Sequence, residues 1–288
     1  MQNTLYIIGN GFDLNHGLKT SYLDFKKNYA MSKPALWRVL EKFYGDRLKK
    51  DLWWSNFEKM LGEVDYQHLA NSRNGGALGH KVLEDFFSYN LRFWFGDWIK
   101  GINQREIRNI SSAKRNDVIV DALFFTFNYT TLLEDVYQID IDNIWHIHGS
   151  VLNLKDDERS LVVGHDSDLG QLMRLEETQE AQKVLSSQYI NDVNAEVGKG
   201  AKNVKMRVEK YANEFIERYS DIKHYIIMGF SLNEIDKPYM EEIIKVNRNI
   251  DAADWTFYYY KEEEKRAFME SLLKLGIKQE NINKPIPW

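Results

Sequence analysis

Four short apolar runs, each ending in a turn of small polar residues, constrain the fold of this chain more than any other feature. The runs cover residues 5–8, 122–127, 143–147 and 224–228. Buried parallel strands have this pattern, because both of their faces are covered and their carboxyl ends deliver loops to one edge of the sheet. Weaker runs at residues 161–163 and 255–260 predict two further strands. We therefore expect an α/β fold built on a Rossmann-like parallel sheet.

Long stretches between these strands have apolar residues at helical spacing, about one every 3.6 positions. Within residues 33–110 three such patterns occur, at residues 36–43, 54–64 and 83–98. Residues 168–218 predict two or three more helices with a break at Gly198-Lys199-Gly200. Helices are also predicted from Leu132 and over residues 235–247 and 262–275.

These patterns predict one sheet domain with two helical insertions. We expect residues 1–32, 111–167 and 219–288 to form the sheet domain. Residues 33–110 are predicted to form a helical cap over its ligand crevice, and residues 168–218 a second helical insertion. The chain shows no internal repeat and only four prolines, so no obvious linker separates the parts.

Composition excludes several classes of protein. The chain has no cysteine, which removes disulfides, thiolate nucleophiles and cysteine-ligated zinc, and which fits a reducing cytoplasm. Its 38 basic residues are scattered and are outnumbered by 43 acidic ones, so no nucleic-acid partner is expected. No apolar run approaches the ~20 residues of a membrane helix, and no signal peptide is expected at the amino terminus. We expect a soluble cytoplasmic protein.

The turn after the first strand is the first candidate binding site. Gly9-Asn10-Gly11 is followed by Phe12 and Asp13, and glycines at the carboxyl end of a strand let the backbone approach a phosphate closely. The third glycine of the dinucleotide fingerprint is absent, since Leu14 occupies its place. A tight turn without a ligand is the alternative.

Two other strand ends carry polar residues suited to a nucleotide. Asn128 follows the second strand and could hold a ribose hydroxyl or a water, although a helix N-cap role competes with that interpretation. Gly229 and Ser231 follow the fourth strand just before a helix, where the serine hydroxyl and backbone N–H groups could contact a phosphate.

His146 and His148 are two residues apart at the end of the third predicted strand, which would direct both side chains to the same face. They could form a metal pair, completed by His165 or Asp166. Alternatively His148 is a single general base, placed by the glycine that follows it, and His146 is structural. A third interpretation has both histidines packed and hydrogen-bonded.

Glu58 lies beside Trp54 and Phe57 in the second helical pattern. Its carboxylate could be solvated on a helix surface or could reach the crevice, and the sequence favours neither. The aromatic residues of these helices are at core spacing, so a packing role is favoured over a stacking platform for a base.

The order of these motifs resembles the bacteriophage abortive-infection AbiH family. The resemblance rests on the stretch from Leu5 to Leu14 and on Tyr22-Leu23-Asp24-Phe25, and it spans the chain. Further motifs are Trp54 with Phe57-Glu58, Phe127-Asn128-Tyr129-Thr130, His146-Ile147-His148-Gly149 and Gly229-Phe230-Ser231-Leu232 before Asp236. Membership would imply a role in bacterial defence against phage.

At the level of the fold the family is similar to sirtuin-like Rossmann domains, which bind NAD. That looser resemblance implies that Asn128 orients the ribose on the nicotinamide side, or a water, and that His148 is the base. Thr130 stands where the pattern has an aspartate, Asn10 stands where it has a small alanine, and the zinc-binding cysteines of protein deacylases are absent. Deacylation of proteins is therefore disfavoured, while hydrolysis of the dinucleotide stays open.

The resulting hypothesis is an NAD(P) glycohydrolase that releases nicotinamide and ADP-ribose. Catalysis would rest on Asn128 and His148, and nucleotide binding on the turns at Gly9 to Asp13, Gly229 and Ser231. NAD or NADP is expected as substrate or ligand, and no metal is expected. The candidate partners are this nucleotide, a phage-derived trigger and a second copy of the chain, without a membrane. The alternatives are a non-catalytic nucleotide sensor and a metal-dependent hydrolase.

Overall fold

The computed structural model describes residues 2–71, 86–110, 117–152, 161–165 and 185–288. Contacts between Cα atoms divide the chain into two compact units. The first unit contains Met1–Lys19, Gly101–Leu152 and Val204–Trp288, and the second contains Thr20–Lys100 and Asn153–Asn203.

The first unit contains a six-stranded, fully parallel sheet with strand order β3-β2-β1-β4-β5-β6. Its strands are β1 (Thr4–Ile8), β2 (Leu123–Thr126), β3 (Ile144–His146), β4 (His224–Met228), β5 (Asp254–Tyr259) and β6 (Ile286–Pro287). This is the usual order of doubly wound dinucleotide-binding sheets, in which the chain reverses direction across the sheet between β1 and β4. The predicted α/β fold with a Rossmann-like parallel sheet is confirmed.

The central strands are apolar because both faces of the sheet are covered. All five residues of β1 and all four of β2 are buried, as expected for a parallel sheet packed on both sides. Leu5 pairs with Leu123 on one side and with Tyr225 on the other, so β1 lies at the centre. Burial of continuous apolar runs thus explains why these segments were predictable.

Two features at the margins differ from the prediction. The expected strand at residues 161–163 is wrong: Leu161, Val162 and Val163 are buried but lie outside the described strands, and His165 forms an isolated bridge to Ala201. An apolar run can be buried without joining a sheet, and periodicity does not separate the two cases. The two-residue strand β6 was not predicted, because so short a segment containing Pro287 carries no strand signal.

Among the described residues, six helices of the first unit accompany the sheet. They are α1 (Asn10–Asn15), α8 (Leu132–Asp135), α10 (Val204–Lys210), α11 (Ala212–Tyr219), α12 (Lys237–Val246) and α13 (Glu262–Lys274). The predictions for residues 235–247 and 262–275 are confirmed within two residues. Pro238 at the start of α12 fits its first turn, where a missing backbone N–H costs nothing.

The regular elements in the described part of the second unit are helices, apart from the isolated bridge between His165 and Ala201. Its helices are α2 (Tyr22–Asn28), α3 (Pro34–Tyr44), α4 (Asp51–Ser55), α5 (Phe57–Leu61), α6 (Tyr66–Asn71) and α9 (Ser187–Lys199), and α7 (Leu91–Arg105) begins in this unit and ends in the first. Ser21 starts α2 with a capping box to Asp24, in which each side chain accepts from the other residue's backbone N–H.

In residues 33–110 the first helical pattern is borne out as α3, whereas α6 forms where no pattern was predicted. The pattern at residues 54–64 is interrupted at Asn56, so it gives the two short helices α4 and α5 instead of one. The described part of the third pattern is a π-helical turn, Phe86–Asn90, followed by α7, and Leu83 lies outside the described residues. Trp54, Phe57 and Phe86 are fully buried and Trp98 is buried, which confirms the packing role for these four, whereas Trp94 is only half-buried.

In residues 168–218, α9 ends at Lys199, where the glycine break was predicted. The earlier part of that stretch, through residue 184, lies outside the described residues. None of the helices in the described ranges is long and apolar enough to cross a membrane.

Candidate functional site

The predicted site residues lie at the carboxyl edge of the sheet, because each follows a strand of the same parallel set. Gly9 follows β1, Asn128 follows β2, His148 follows β3 and Gly229 follows β4. In open α/β sheets ligands bind at this edge, at the point where the strand order reverses. Here that point lies between β1 and β4, where the two glycine turns leave the sheet.

The glycines at this point let two backbone turns touch. The N–H of Gly9 donates to the carbonyl of Met228 at 3.0 Å, and the N–H of Gly11 donates to the carbonyl of Gly229 at 2.9 Å. A Cβ on Gly9 would lie 2.5 Å from Gly229 O. Gly229 has φ +69, and a Cβ there would lie 2.1 Å from the backbone nitrogen of Phe12. Close packing between the turns therefore accounts for all three glycines, and the Gly9 and Gly11 N–H groups donate within the protein.

Asp13 is a buried carboxylate on α1, directly behind this turn. It is 1% exposed, its Oδ1 accepts from Asn128 Nδ2 at 2.9 Å, and its Oδ2 accepts from Thr130 Oγ1 at 2.8 Å. Burial raises the pKa of Asp13 to about 7, while the hydrogen bonds from Thr130 and Asn128 act in the opposite direction. Asp13 therefore titrates near neutral pH.

Asn128 connects the loops after β1 and β2. Its side-chain Nδ2 donates both to Asp13 and to the carbonyl of Gly9, the latter at 3.1 Å. The alternative that Asn128 is a helix N-cap is wrong, because Thr131 occupies the N-cap position of α8. The Thr131 side chain makes no capping bond there and instead donates to Asp135.

His146 is fixed between two oxygen atoms. Its Nδ1 lies 2.8 Å from the carbonyl of Asn128, and its Nε2 lies 2.9 Å from Glu134 Oε1. Because a carbonyl oxygen only accepts, Nδ1 carries a proton and donates to Asn128. These contacts agree with the alternative in which His146 is a structural, hydrogen-bonded residue.

His148 has different surroundings, so the expectation that both histidines point to one face is wrong. Strand β3 ends at His146 and the chain turns over residues 147–148, which breaks the alternation of side chains. His148 Nε2 lies 3.2 Å from Asp236 Oδ1, a distance that suits an ion pair, although the contact lacks the alignment of a hydrogen bond. Both side chains are at most 5% exposed.

Aromatic rings surround the His148 imidazole. The ring centroids of Phe127, Tyr239 and Tyr129 lie 5.4, 5.9 and 6.1 Å from that of His148. Asp236 is held by Asn233, whose Oδ1 accepts from the Asp236 N–H at 2.9 Å. His148 and Asp236 thus form a buried histidine–carboxylate pair in an aromatic setting.

The remaining predicted binding residues differ in exposure. Phe12 is buried, and its ring packs 4.6 Å from that of His16 and 5.5 Å from that of Tyr137, which is a core role. Asn10 and Ser231 are exposed at the same carboxyl edge. These two are the exposed polar side chains among the predicted nucleotide-binding residues.

A metal centre would need several ligating side chains together. Among the described residues, no group of three or more histidine or carboxylate side chains is arranged to hold a metal ion. His165 belongs to the second unit, where its Nε2 contacts the carbonyl of Val197 at 2.8 Å. Asp166 lies outside the described residues.

Glu58 forms an ion pair inside the second unit. Its Oε1 lies 2.9 Å from Lys202 Nζ, and the side chains are 12% and 1% exposed. A solvated carboxylate on a helix surface is therefore the wrong description of Glu58.

Sequence reasoning missed Asp236 and Thr130 as parts of the edge site, and it missed Glu134 as the partner of His146. Asp236 stands in a motif before α12, but no pattern in the sequence pairs it with a histidine on another strand. Thr130 attracts notice in the sequence only as a departure from the sirtuin-like pattern. Its hydroxyl contacts the carboxylate of Asp13, which comes from a different loop.

Comparison with known proteins gives one finding. A model of the family described as "Bacteriophage abortive infection AbiH" matches residues 5–91 and 80–259. The curated proteins and the solved structures that were searched gave no match. Since the family model covers most of the chain, including all of the carboxyl-edge residues described above, the chain belongs to the bacteriophage abortive infection AbiH family.

Proposed function

We propose that this chain acts in phage defence by hydrolysing NAD or NADP to nicotinamide and ADP-ribose at the carboxyl edge of its sheet. Family membership supports the defence role. The observation that carries the nucleotide chemistry is the strand order, which reverses between β1 and β4 where both glycine turns leave the sheet. Doubly wound sheets of this order bind dinucleotides at that position.

The reaction needs little from the protein beyond positioning. The nicotinamide of NAD is cationic before the bond to the ribose breaks and leaves as a neutral molecule, so no general acid is required. Water adds to the ribose carbon as the bond breaks, and one proton is lost. His148 would take that proton, and Asn128 would orient the ribose or the water. Charge developing on the ribose ring resembles that in glycoside hydrolysis.

The carboxylate of Asp236 would support His148 in its proposed role as the base. A carboxylate next to an imidazole favours its protonated form and orients its ring. The present Nε2–Oδ1 distance of 3.2 Å would shorten by a small ring rotation, as catalytic contacts often do when substrate binds.

The diphosphate would be held mainly by groups other than the glycine amides. The N–H groups of Gly9 and Gly11 donate to the carbonyls of Met228 and Gly229. The turn after β1 would therefore fit around the diphosphate without using these two N–H groups as hydrogen-bond donors to it. Exposed Asn10 and Ser231 border it and are the proposed polar contacts. Asp13 would act from behind the turn, through Asn128.

The burial of His148 favours one second function, a non-catalytic nucleotide sensor. At 2% exposure the imidazole is enclosed by aromatic rings, which suits a structural pair as well as a resting enzyme that opens when triggered. A sensor would bind the dinucleotide at the same edge and yield no product.

The test is incubation of the purified protein with NAD and with NADP, followed by measurement of free nicotinamide and ADP-ribose. Each reaction is run with and without an extract of phage-infected cells, because an abortive-infection protein that cleaves NAD must be inactive before infection. Nicotinamide release by wild type that is lost in His148→Gln supports the hydrolase. Binding without release supports the sensor.

A further inference from the structure

The carboxylate of Asp13 lies where the loops after β1 and β2 meet. It is 1% exposed and accepts one hydrogen bond at each oxygen, from the side-chain amide of Asn128 and from the hydroxyl of Thr130. The same Asn128 amide donates to Gly9 O, and the Asn128 carbonyl contacts His146 Nδ1. Asn128 is thus fixed from three directions, and Asp13 is the titratable group that contacts its side-chain amide.

We propose that ionised Asp13 is a positioning residue that holds the Asn128 amide and the Thr130 hydroxyl in one arrangement, and that protonation of Asp13 weakens this hold. The inference rests on the proposed function for its effect on catalysis, but its structural part stands without it. Asp13 would act through Asn128, without itself touching the substrate.

The chemistry of the two donors explains the direction of this effect. A threonine hydroxyl can turn and accept a hydrogen bond, so a proton taken up from solvent can sit on Oδ2 and face Thr130. The side-chain NH₂ of Asn128 can only donate, so Oδ1 stays its acceptor and the bond changes from a charge-assisted to a neutral one. Charge-assisted hydrogen bonds are roughly twice as strong as neutral ones.

Charged groups near Asp13 work against each other. On β3, His146 favours the ionised form, and on α8, Glu134 opposes it, but these two form an ion pair with each other. Burial remains the dominant influence and raises the pKa of Asp13 to about 7. Asp13 is therefore poised to change charge in the range where cells operate.

Asp13→Asn is a suitable test variant, because the amide imitates the protonated acid. Its Oδ1 can accept from Asn128 while its NH₂ donates to the Thr130 hydroxyl, so both contacts survive without charge. Thr130→Val is the matched second variant, since it removes one donor and keeps the side-chain volume. The Thr130 hydrogen bond lowers the pKa of Asp13, so its loss must raise that pKa further.

The structural experiment follows the side-chain amide signals of Asn128 by ¹⁵N nuclear magnetic resonance between about pH 5.5 and 8.5. Their disappearance in Asn128→Ala assigns them. In wild type we expect them to titrate with a midpoint near 7, in Thr130→Val at a higher midpoint, and in Asp13→Asn not at all. Signals that stay constant in wild type, or that titrate unchanged in Asp13→Asn, overturn the proposal whether or not the protein cleaves NAD.

The functional experiment measures kcat/KM for nicotinamide release over the same pH range. Wild type and Asp13→Asn should both lose activity on acidification, because the His148 base is protonated in both, and Asp13→Asn should be reduced about tenfold at pH 8. This difference should shrink as pH falls below about 7, because Asp13 is then uncharged in wild type as well. A ratio between the two proteins that stays constant with pH contradicts the assignment to Asp13. Absence of nicotinamide release from wild type contradicts the proposed hydrolase and leaves the titration of Asn128 as an independent result.

Discussion

Gly11 and Gly229 touch backbone to backbone: the Gly11 N–H donates to the Gly229 carbonyl at 2.9 Å, and a Cβ on Gly11 would lie 2.7 Å from the Gly229 Cα. The residues belong to the turns after β1 and β4, the two strands between which the sheet order reverses. The turns therefore define the floor of the proposed nucleotide site. Their glycine requirement can be tested without any ligand.

Gly229→Ala should destabilise the protein much more than Gly276→Ala. Both glycines have positive φ, but a Cβ at Gly276 meets nothing within 4 Å, whereas one at Gly229 meets the Phe12 backbone at 2.1 Å. Strain alone should cost Gly276→Ala about 1 kcal/mol, while Gly229→Ala should lose more than about 3 kcal/mol or fail to fold. Denaturant unfolding measures both, and equal losses would refute the account of the turn.

Loss of the imidazole at position 148 should abolish NAD cleavage without abolishing nucleotide binding. His148→Gln keeps much of the side-chain volume, so the fold should survive, whereas kcat should fall on the order of 100- to 10,000-fold. Asp236→Asn should lower kcat by at least about tenfold, because the carboxylate stabilises the imidazolium that forms. Calorimetry with ADP-ribose checks binding. A His148→Gln enzyme with normal kcat would exclude His148 as the base.

His146→Ala should affect stability more than chemistry. Glu134 and the Asn128 carbonyl would each lose a buried or half-buried partner, at a cost of about 1–3 kcal/mol of unfolding free energy. Nicotinamide release should fall much less than in His148→Gln and should be unaffected by EDTA. A metal-dependent hydrolase makes the opposite forecast, with both histidines equally essential and activity lost to the chelator.

Asp13 should make stability depend on pH in a specific direction. Burial raises its pKa from 3.8 to about 7 in the folded state, so as pH rises the unfolded chain releases this proton first. The stabilising contribution of the protonated form is complete below about pH 4 and is lost as pH rises through about 7.

Asp13→Asn therefore serves as the reference for this effect. The unfolding free energy of wild type minus that of Asp13→Asn should fall between pH 4 and pH 8, by at most about 4 kcal/mol for a shift of this size. Urea titrations at a series of pH values measure the difference. Parallel curves for the two proteins would show that Asp13 does not titrate abnormally.

Most strands were predictable from the sequence, because the strands of a buried parallel sheet are continuous apolar runs. β1, β2, β4 and β5 were predicted within two residues at each end, since continuous apolar runs that end in polar turns are typical of buried parallel strands. The run at residues 161–163 has the same apolar pattern but is not a strand, because apolar side chains can be buried without the backbone pairing with a neighbouring strand. The relative arrangement of the sheet domain and the predicted helical cap stays a prediction.

The site was predictable only in part, because a sequence motif shows which loop carries a residue but does not show which other residue it contacts. Gly9, Asn128, His148 and Gly229 were identified at strand ends, and the parallel sheet brings those ends to one edge. Asp236 and Thr130 could not be assigned, since each acts on a residue from a different loop. The same-face expectation for His146 and His148 failed because strand β3 stops at His146. The strand was predicted to continue to residue 147, and its earlier end changes the direction of the His148 side chain.

Free nicotinamide is the measurement that tests the central proposal most directly. Purified wild-type protein and His148→Gln are incubated with NAD and with NADP, each with and without an extract of phage-infected cells, and nicotinamide is quantified over time against the extract alone. The account predicts release above that background by wild type in at least one of these conditions, with equimolar ADP-ribose, and none above it by His148→Gln. No release above background by wild type in any condition, or equal release by the two proteins, would contradict it.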